Sequence, residues 1–159
     1  MAVNAYLIID GRPGPSTSKQ GAIDILSFSF GASMSAVIGA GSSGGEARAG
    51  RANLGDVTIM KVLDKTSPDL WDHCVTATFL KKVEIYYDKP VNNKQEDYFK
   101  IELEDALITS IQFSGSSEHP VESVSFTYSK VKVSYNPEED GALKGFVDRG
   151  FDVQTLTKW

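Results

Sequence analysis

The chain alternates between apolar and polar residues along much of its length. Phe99, Ile101 and Leu103 alternate with Lys100, Glu102 and Glu104. Val83, Ile85 and Tyr87 alternate with Lys82, Glu84 and Tyr86, and Val124, Phe126 and Tyr128 with Ser123, Ser125, Thr127 and Ser129. In a strand successive side chains point to opposite faces, so a period of two predicts half-buried antiparallel strands. Residues 4–9, 23–34, 57–63, 107–113 and 151–156 read as further strands. About eight strands separated by turn signals predict a β-barrel or sandwich. Near Ser129-Lys130 the apolar phase slips, because Val131, Val133 and Tyr135 are odd-numbered. A one-residue slip turns every later side chain over, so a β-bulge is expected there.

Two segments break the alternation. Thr66-Ser67-Pro68-Asp69 reads as a helix start, with a hydroxyl cap, a proline at the first position and an acid in the first turn. Leu70, Trp71, Cys74, Val75 and Thr78 then form the apolar stripe of a helix of about three turns. The second exception runs from Gly39 to Gly50, where five of twelve residues are glycine and almost none is large. It is expected to be a long flexible loop.

Composition narrows the classes. A chain of 159 residues suits one domain with a single core. The net charge of -5 offers no footprint for nucleic acid or anionic lipid. One cysteine, Cys74, excludes an intrachain disulfide and fits folding in a reducing compartment. The first apolar run, Ala5 to Ile9, is too short for a leader or a membrane span, so the expectation is a chain made in the cytoplasm and exported, if at all, without a cleaved signal peptide.

No residue set satisfies a catalytic spacing. Asp72, His73 and Cys74 are adjacent on the helix and point about 100° apart. Cys74 is expected as a buried thiol and His73 as a half-exposed imidazole. His119 sits in a turn before Pro120, and two histidines with one cysteine give no metal spacing. Glu102 and Glu104 share a strand face and read as a solvated outer face rather than a carboxylate pair. The glycine-rich segment contains no Gly-Lys-Ser/Thr, so it is no phosphate loop. The expectation is a chain that is not an enzyme and takes no cofactor or metal.

The order of features resembles the Hcp family of type VI secretion tube proteins. The opening Met-Ala-Val-Asn-Ala-Tyr-Leu-Ile-Ile-Asp-Gly is similar to that family's first strand and turn. Ile23-Asp24-Ile25-Leu26-Ser27-Phe28-Ser29-Phe30-Gly31 is similar to its Ile-Asp-Val-x-x-aromatic-Ser-aromatic-Gly strand. The run from Asp56 to Leu70, with Asp64-Lys65-Thr66-Ser67-Pro68, resembles its strand-to-helix passage. Val121 to Phe126 and Val131 to Tyr135 resemble its penultimate hairpin. The segment from Pro137 to Trp159 matches only loosely, and Trp159 either docks on a partner or packs locally.

The resemblance implies a compact β-barrel of two antiparallel sheets with one helix at its side. It implies hexameric rings that stack into a tube, effector proteins in the lumen, a spike protein at the tip and a contractile sheath outside. It also implies secretion through that machine. Within this frame Leu26, Phe28 and Phe30 are expected in the core, and Ser27, Ser29 and Gly31 on the lumen wall. The loop at residues 35–51 is expected to contact an adjacent ring through Ser35, Gly39, Gly41, Ser42, Ser43, Gly44, Gly45, Glu46, Arg48 and Arg51. A tail-tube protein of a phage-like contractile particle and a monomeric β-barrel binding module are the alternatives.

Overall fold

The computed structural model describes residues 4–38, 47–116 and 118–159. The strands are β1 (Asn4–Ile9), β2 (Ile23–Ile25), β3 (Ser27–Ser29), β4 (Ala32–Ile38), β5 (Ala47–Leu54) and β6 (Val57–Val62). Helix α1 (Ser67–Val75) follows, then β7 (Leu80–Val91), β8 (Lys94–Ser114), β9 (Val121–Thr127) and β10 (Lys130–Tyr135). Four short strands close the chain: β11 (Glu138–Glu139), β12 (Ala142–Leu143), β13 (Val147–Asp152) and β14 (Thr157–Lys158).

Two antiparallel layers share strand β8. Its first half pairs with β7 and β10, and its second half with β9. The strand changes layer at Asp105, which adopts φ 49°, a conformation a short polar side chain tolerates. One layer runs β14-β13-β10-β8-β7-β1-β2, and the other adds β9, β6 and β3. Inward side chains such as Leu7, Ile59, Ile85, Ile101, Leu103 and Phe126 meet between them and are fully buried.

The expected strand at 23–34 is three strands. β2 pairs with β1 and β3 with β6, so the chain changes partner at Leu26. The layers meet at this kink, and the wall is a barrel broken at a corner rather than one uninterrupted cylinder. Leu26 was expected in the core and is 60% exposed, because the kink turns it outward. Phe28 and Phe30 do pack against the core.

The phase slip near Ser129 is not a bulge in one strand. β9 ends at Thr127 and β10 begins at Lys130, with Tyr128 and Ser129 turning the corner between layers. The ladder irregularity lies on the partner strand instead, between Ile108 and Ser110 of β8. The expected strand at 151–156 is likewise displaced, since β13 ends at Asp152 and a turn leads to β14.

The loop from Arg12 to Ala22 is strapped to the wall by Lys19, 2.7 Å from Asp97 and 4.0 Å from the Tyr86 ring centre. Gly14 sits where a β-carbon would collide with the Ala22 carbonyl and Ile23 Cγ1. Gly14→Ala is therefore expected to lower unfolding free energy by about 1–3 kcal/mol, read by chemical denaturation.

Candidate functional site

The outer face of β3, β6, β9 and the end of β8 is a wall without charge, mostly of hydroxyls, with Met60 and Val62 exposed in it. Register places Ser29, Thr58, Ser125 and Ser110 in one row across it, and Ser27, Met60, Ser123 and Gln112 in the next. Paired residues share a face, so both rows face outward together. Thr58 and Ser125 bond through their hydroxyls at 2.9 Å. Ser27 and Ser29 are exposed, as expected of a wall facing water. Gly31 is exposed and lies just past the end of β3, outside these two rows. Its carbonyl accepts from the Gly55 amide at 2.9 Å, which places it at the root of the following hairpin.

That hairpin corrects the expected loop. β4 and β5 pair from Ala32↔Leu54 to Ile38↔Ala47, so Ser35, Arg48 and Arg51 lie in strands. Gly39, Gly41, Ser42, Ser43, Gly44, Gly45 and Glu46 lie outside the described residues. The register shifts at Ser35, and a β-carbon on Gly50 would collide with the Ser35 hydroxyl. Small residues in β5 suit a strand that meets the core only at its last residue, Leu54. Among the described residues β4 and β5 pair only with each other, so the hairpin projects as an arm.

Helix α1 lies at the opposite end of β6 from this arm. Its first residue is buried, but the expected hydroxyl cap does not form. Thr66 has helical φ −85° and ψ −14°, and its amide and hydroxyl both donate to the Asp64 carboxylate. The helix ends at Val75, earlier than expected, where the Thr76 hydroxyl bonds the Asp72 carbonyl at 2.7 Å. The buried face is Ser67, Leu70 and His73. Trp71 and Val75 were expected on the apolar stripe and are exposed.

His73 and Cys74 exchange their expected places. His73 is buried, and its Nε2 accepts from Arg12 Nε at 2.8 Å. Its Nδ1 has no hydrogen-bond partner among the described residues. Cys74 is only half-buried. Asp72 is exposed, so the three residues do not converge.

A buried ion pair escaped the sequence reading. Lys61 on β6 and Glu122 on β9 are cross-strand neighbours, and both side chains are fully buried. Lys61 Nζ also lies 3.2 Å from an Asp64 oxygen and donates to Ser67 Oγ at 3.2 Å. Ser67 Oγ donates to Glu122 at 3.1 Å. The helix start is thus tied to the β6–β9 ladder. The signal was present in the alternation, since Val57, Ile59 and Lys61 share one phase and Glu122, Val124 and Phe126 another.

Glu102 is half-buried on the opposite wall, 3.0 Å from Lys82 and 3.4 Å from Lys100. Among the described residues no three His, Cys, Asp or Glu side chains are grouped to hold a metal. Nor is any helix long and apolar enough to cross a membrane. Trp159 packs locally: its amide bonds the Gly150 carbonyl at 3.0 Å, and Lys132 Nζ lies 4.2 Å from the ring centre.

Comparison with known proteins agrees with this architecture. The family described as "Type VI secretion system effector, Hcp" matches residues 6–135. Protein hcp1 of Pseudomonas aeruginosa is 31% identical over 98 residues, which is 60% of this chain and 60% of that relative's length. A solved type six secretion system protein superposes with TM-score 0.88 at 23% identity, covering 99% of this chain and 100% of the other. Hcp1 from Salmonella typhimurium superposes with TM-score 0.80 at 22% identity, covering all of both chains. At those identities the superpositions establish the fold, while the family match spans most of the chain. The chain belongs to the Hcp family of type VI secretion proteins.

Proposed function

We propose that this chain is the repeating subunit of a type VI secretion tube. Copies close into hexameric rings, rings stack, and effector proteins travel in the lumen before the tube itself is secreted. The subunit is made in the cytoplasm, and its other partners are a spike protein at the tip and a contractile sheath outside. Its work is assembly and carriage, with no catalytic step.

The observation that carries the reading is the uncharged wall of Ser27, Ser29, Thr58, Ser110, Ser123 and Ser125. A channel that passes different proteins needs a surface that neither fixes charge nor traps apolar side chains. Short hydroxyls meet that need, because they hydrogen-bond water and cargo interchangeably. The same chain carries its charges elsewhere, on the Glu84, Lys82, Glu102 and Lys100 network.

Ser29→Gln tests the wall. The longer amide intrudes on a close contact, and overpacking costs about 1–3 kcal/mol. Effector retention is expected to fall by about tenfold or more, with ring formation and melting temperature unchanged. Unchanged retention would remove Ser29 from the lumen. Native mass of the unaltered protein tests the larger reading: a ring supports it, and a stable monomer at high concentration overturns it.

A further inference from the structure

We propose that the cavity between the Gly11–Pro13 turn and helix α1 binds a carboxylate carried on a small apolar body. All of its walls belong to one chain, so the inference stands apart from the tube reading.

The cavity has a volume of about 340 Å³, within the range of small-ligand sites. Ile9, Ile23 and Leu70 line it and are buried, so its floor is apolar. Arg12, Lys65 and Asp69 line it and are exposed, so its rim is charged. A ligand that fits has a hydrocarbon part and a charged end.

Arg12 is built into this rim. Its amide donates to the Ile9 carbonyl at 3.0 Å, which closes a turn, and Gly11 takes φ 74° within it. Arg12 Nε donates to His73 Nε2 at 2.8 Å, and Nη1 donates to the Gly11 carbonyl at 3.1 Å. The guanidinium is thus held from two sides. Among the described residues no acid pairs with it, and its Nη2 has no bond. Because Nε is taken, the edge that remains is the end-on one, formed by Nη1 and Nη2. Two parallel N–H groups match the two oxygens of a carboxylate. Fixing that edge beforehand removes an ordering cost from binding.

His73 is an independent sign of a ligand. It lines the same cavity, is 7% exposed, and its Nδ1 has no partner among the described residues. A buried polar atom without a partner is rare, and here the chain itself does not supply one. The charge of the rim selects the ligand. Lys65 forms no ion pair among the described residues, so Arg12 and Lys65 stand against Asp69 alone. Two cations against one acid leave a single positive charge, which one carboxylate neutralises. A doubly charged phosphate exceeds that charge and is repelled by Asp69, and a cationic ligand meets Arg12 and Lys65.

Saturation-transfer NMR observed on the ligand tests the site with three probes. 4-Methylpentanoate is the free acid, the tripeptide glycyl-glycyl-leucine carries a similar group at a chain end, and 4-methylpentanamide is the uncharged control. The unaltered protein is expected to bind at least one acid with a Kd of about 1 mM or lower, and the amide about tenfold more weakly or worse. Arg12→Gln is expected to weaken the acid by about tenfold. Lys158→Gln, on the strand at the far edge of the sheet, is expected to leave it unchanged. Tighter binding of the tripeptide identifies the source as the end of a chain, and tighter binding of the free acid identifies it as a small molecule. Melting curves check that the variants fold. Lys65→Gln, expected to weaken the acid about threefold, replaces Arg12→Gln if that variant does not. Any of three results overturns the proposal: no saturable binding of either acid up to about 10 mM, equal binding of acid and amide, or binding that the rim variant leaves intact.

Discussion

Lys61→Met is expected to cost about 3–5 kcal/mol of unfolding free energy, and Lys61→Met with Glu122→Leu to recover most of it. Both side chains of the pair are fully buried. A carboxylate taken out of water is tolerable only while its charge and lone pairs are answered. Among the described residues, Glu122 without Lys61 keeps the Ser67 hydroxyl alone, and its second oxygen already has no partner. Removing both charges leaves a void that two apolar side chains fill, which is close to neutral for many buried pairs. Glu122→Leu alone is expected to cost less than Lys61→Met, because Lys61 retains Asp64, which reaches solvent, at 3.2 Å. Guanidinium unfolding at one fixed protein concentration measures all three variants, since assembly otherwise shifts apparent stability. A double variant no more stable than Lys61→Met would mean that the two charges are not coupled.

Local alternation is what a sequence displays best, and β7, β8 and β9 follow it. The Phe99-Ile101-Leu103 face is inward, and its charged counterpart outward, from Phe99 to Glu104 of β8. The helix start at Thr66 to Asp69 was legible for the same reason, since proline and an early acid act within one turn. What was not legible depends on distant residues. Lys61 and Glu122 both carry the inward phase in plain view, but only the β6–β9 pairing brings together two positions 61 residues apart. The face that α1 buries was misjudged because Arg12, 61 residues before His73, supplies a partner that lets the imidazole turn inward. Trp71 is displaced outward in consequence. The arm looks like a loop in sequence because its β5 strand meets the core only at Leu54, so no apolar period marks it. Leu26 and Trp159 are set by corners and neighbours that no short window contains. The Ser27/Ser29 face was legible as polar, yet its extension across Thr58, Ser125 and Ser110 required the register of three further strands.

Phe126→Ala is expected to cost about 3–5 kcal/mol, whereas Ser125→Ala, its neighbour on β9, is expected to cost about 1 kcal/mol or less. The two residues separate the two duties of one strand. Phe126 is fully buried and lies opposite both Val57 of β6 and Ile108 of β8, so its ring fills the space where the layers join. Truncation leaves a cavity that three paired strands are too constrained to collapse. Ser125 points the other way and gives up one hydroxyl contact, to Thr58, where water replaces it. Its backbone carbonyl keeps the bond from Thr109 Oγ1. In the tube reading the stability of the subunit resides on one face of β9 and its traffic with cargo on the other. Ser125→Ala should then melt near the unaltered protein and alter effector retention, while Phe126→Ala melts early and assembles poorly. Equal losses of stability from both substitutions would mean that the outer wall is packed rather than open, and the channel assignment would fall with it.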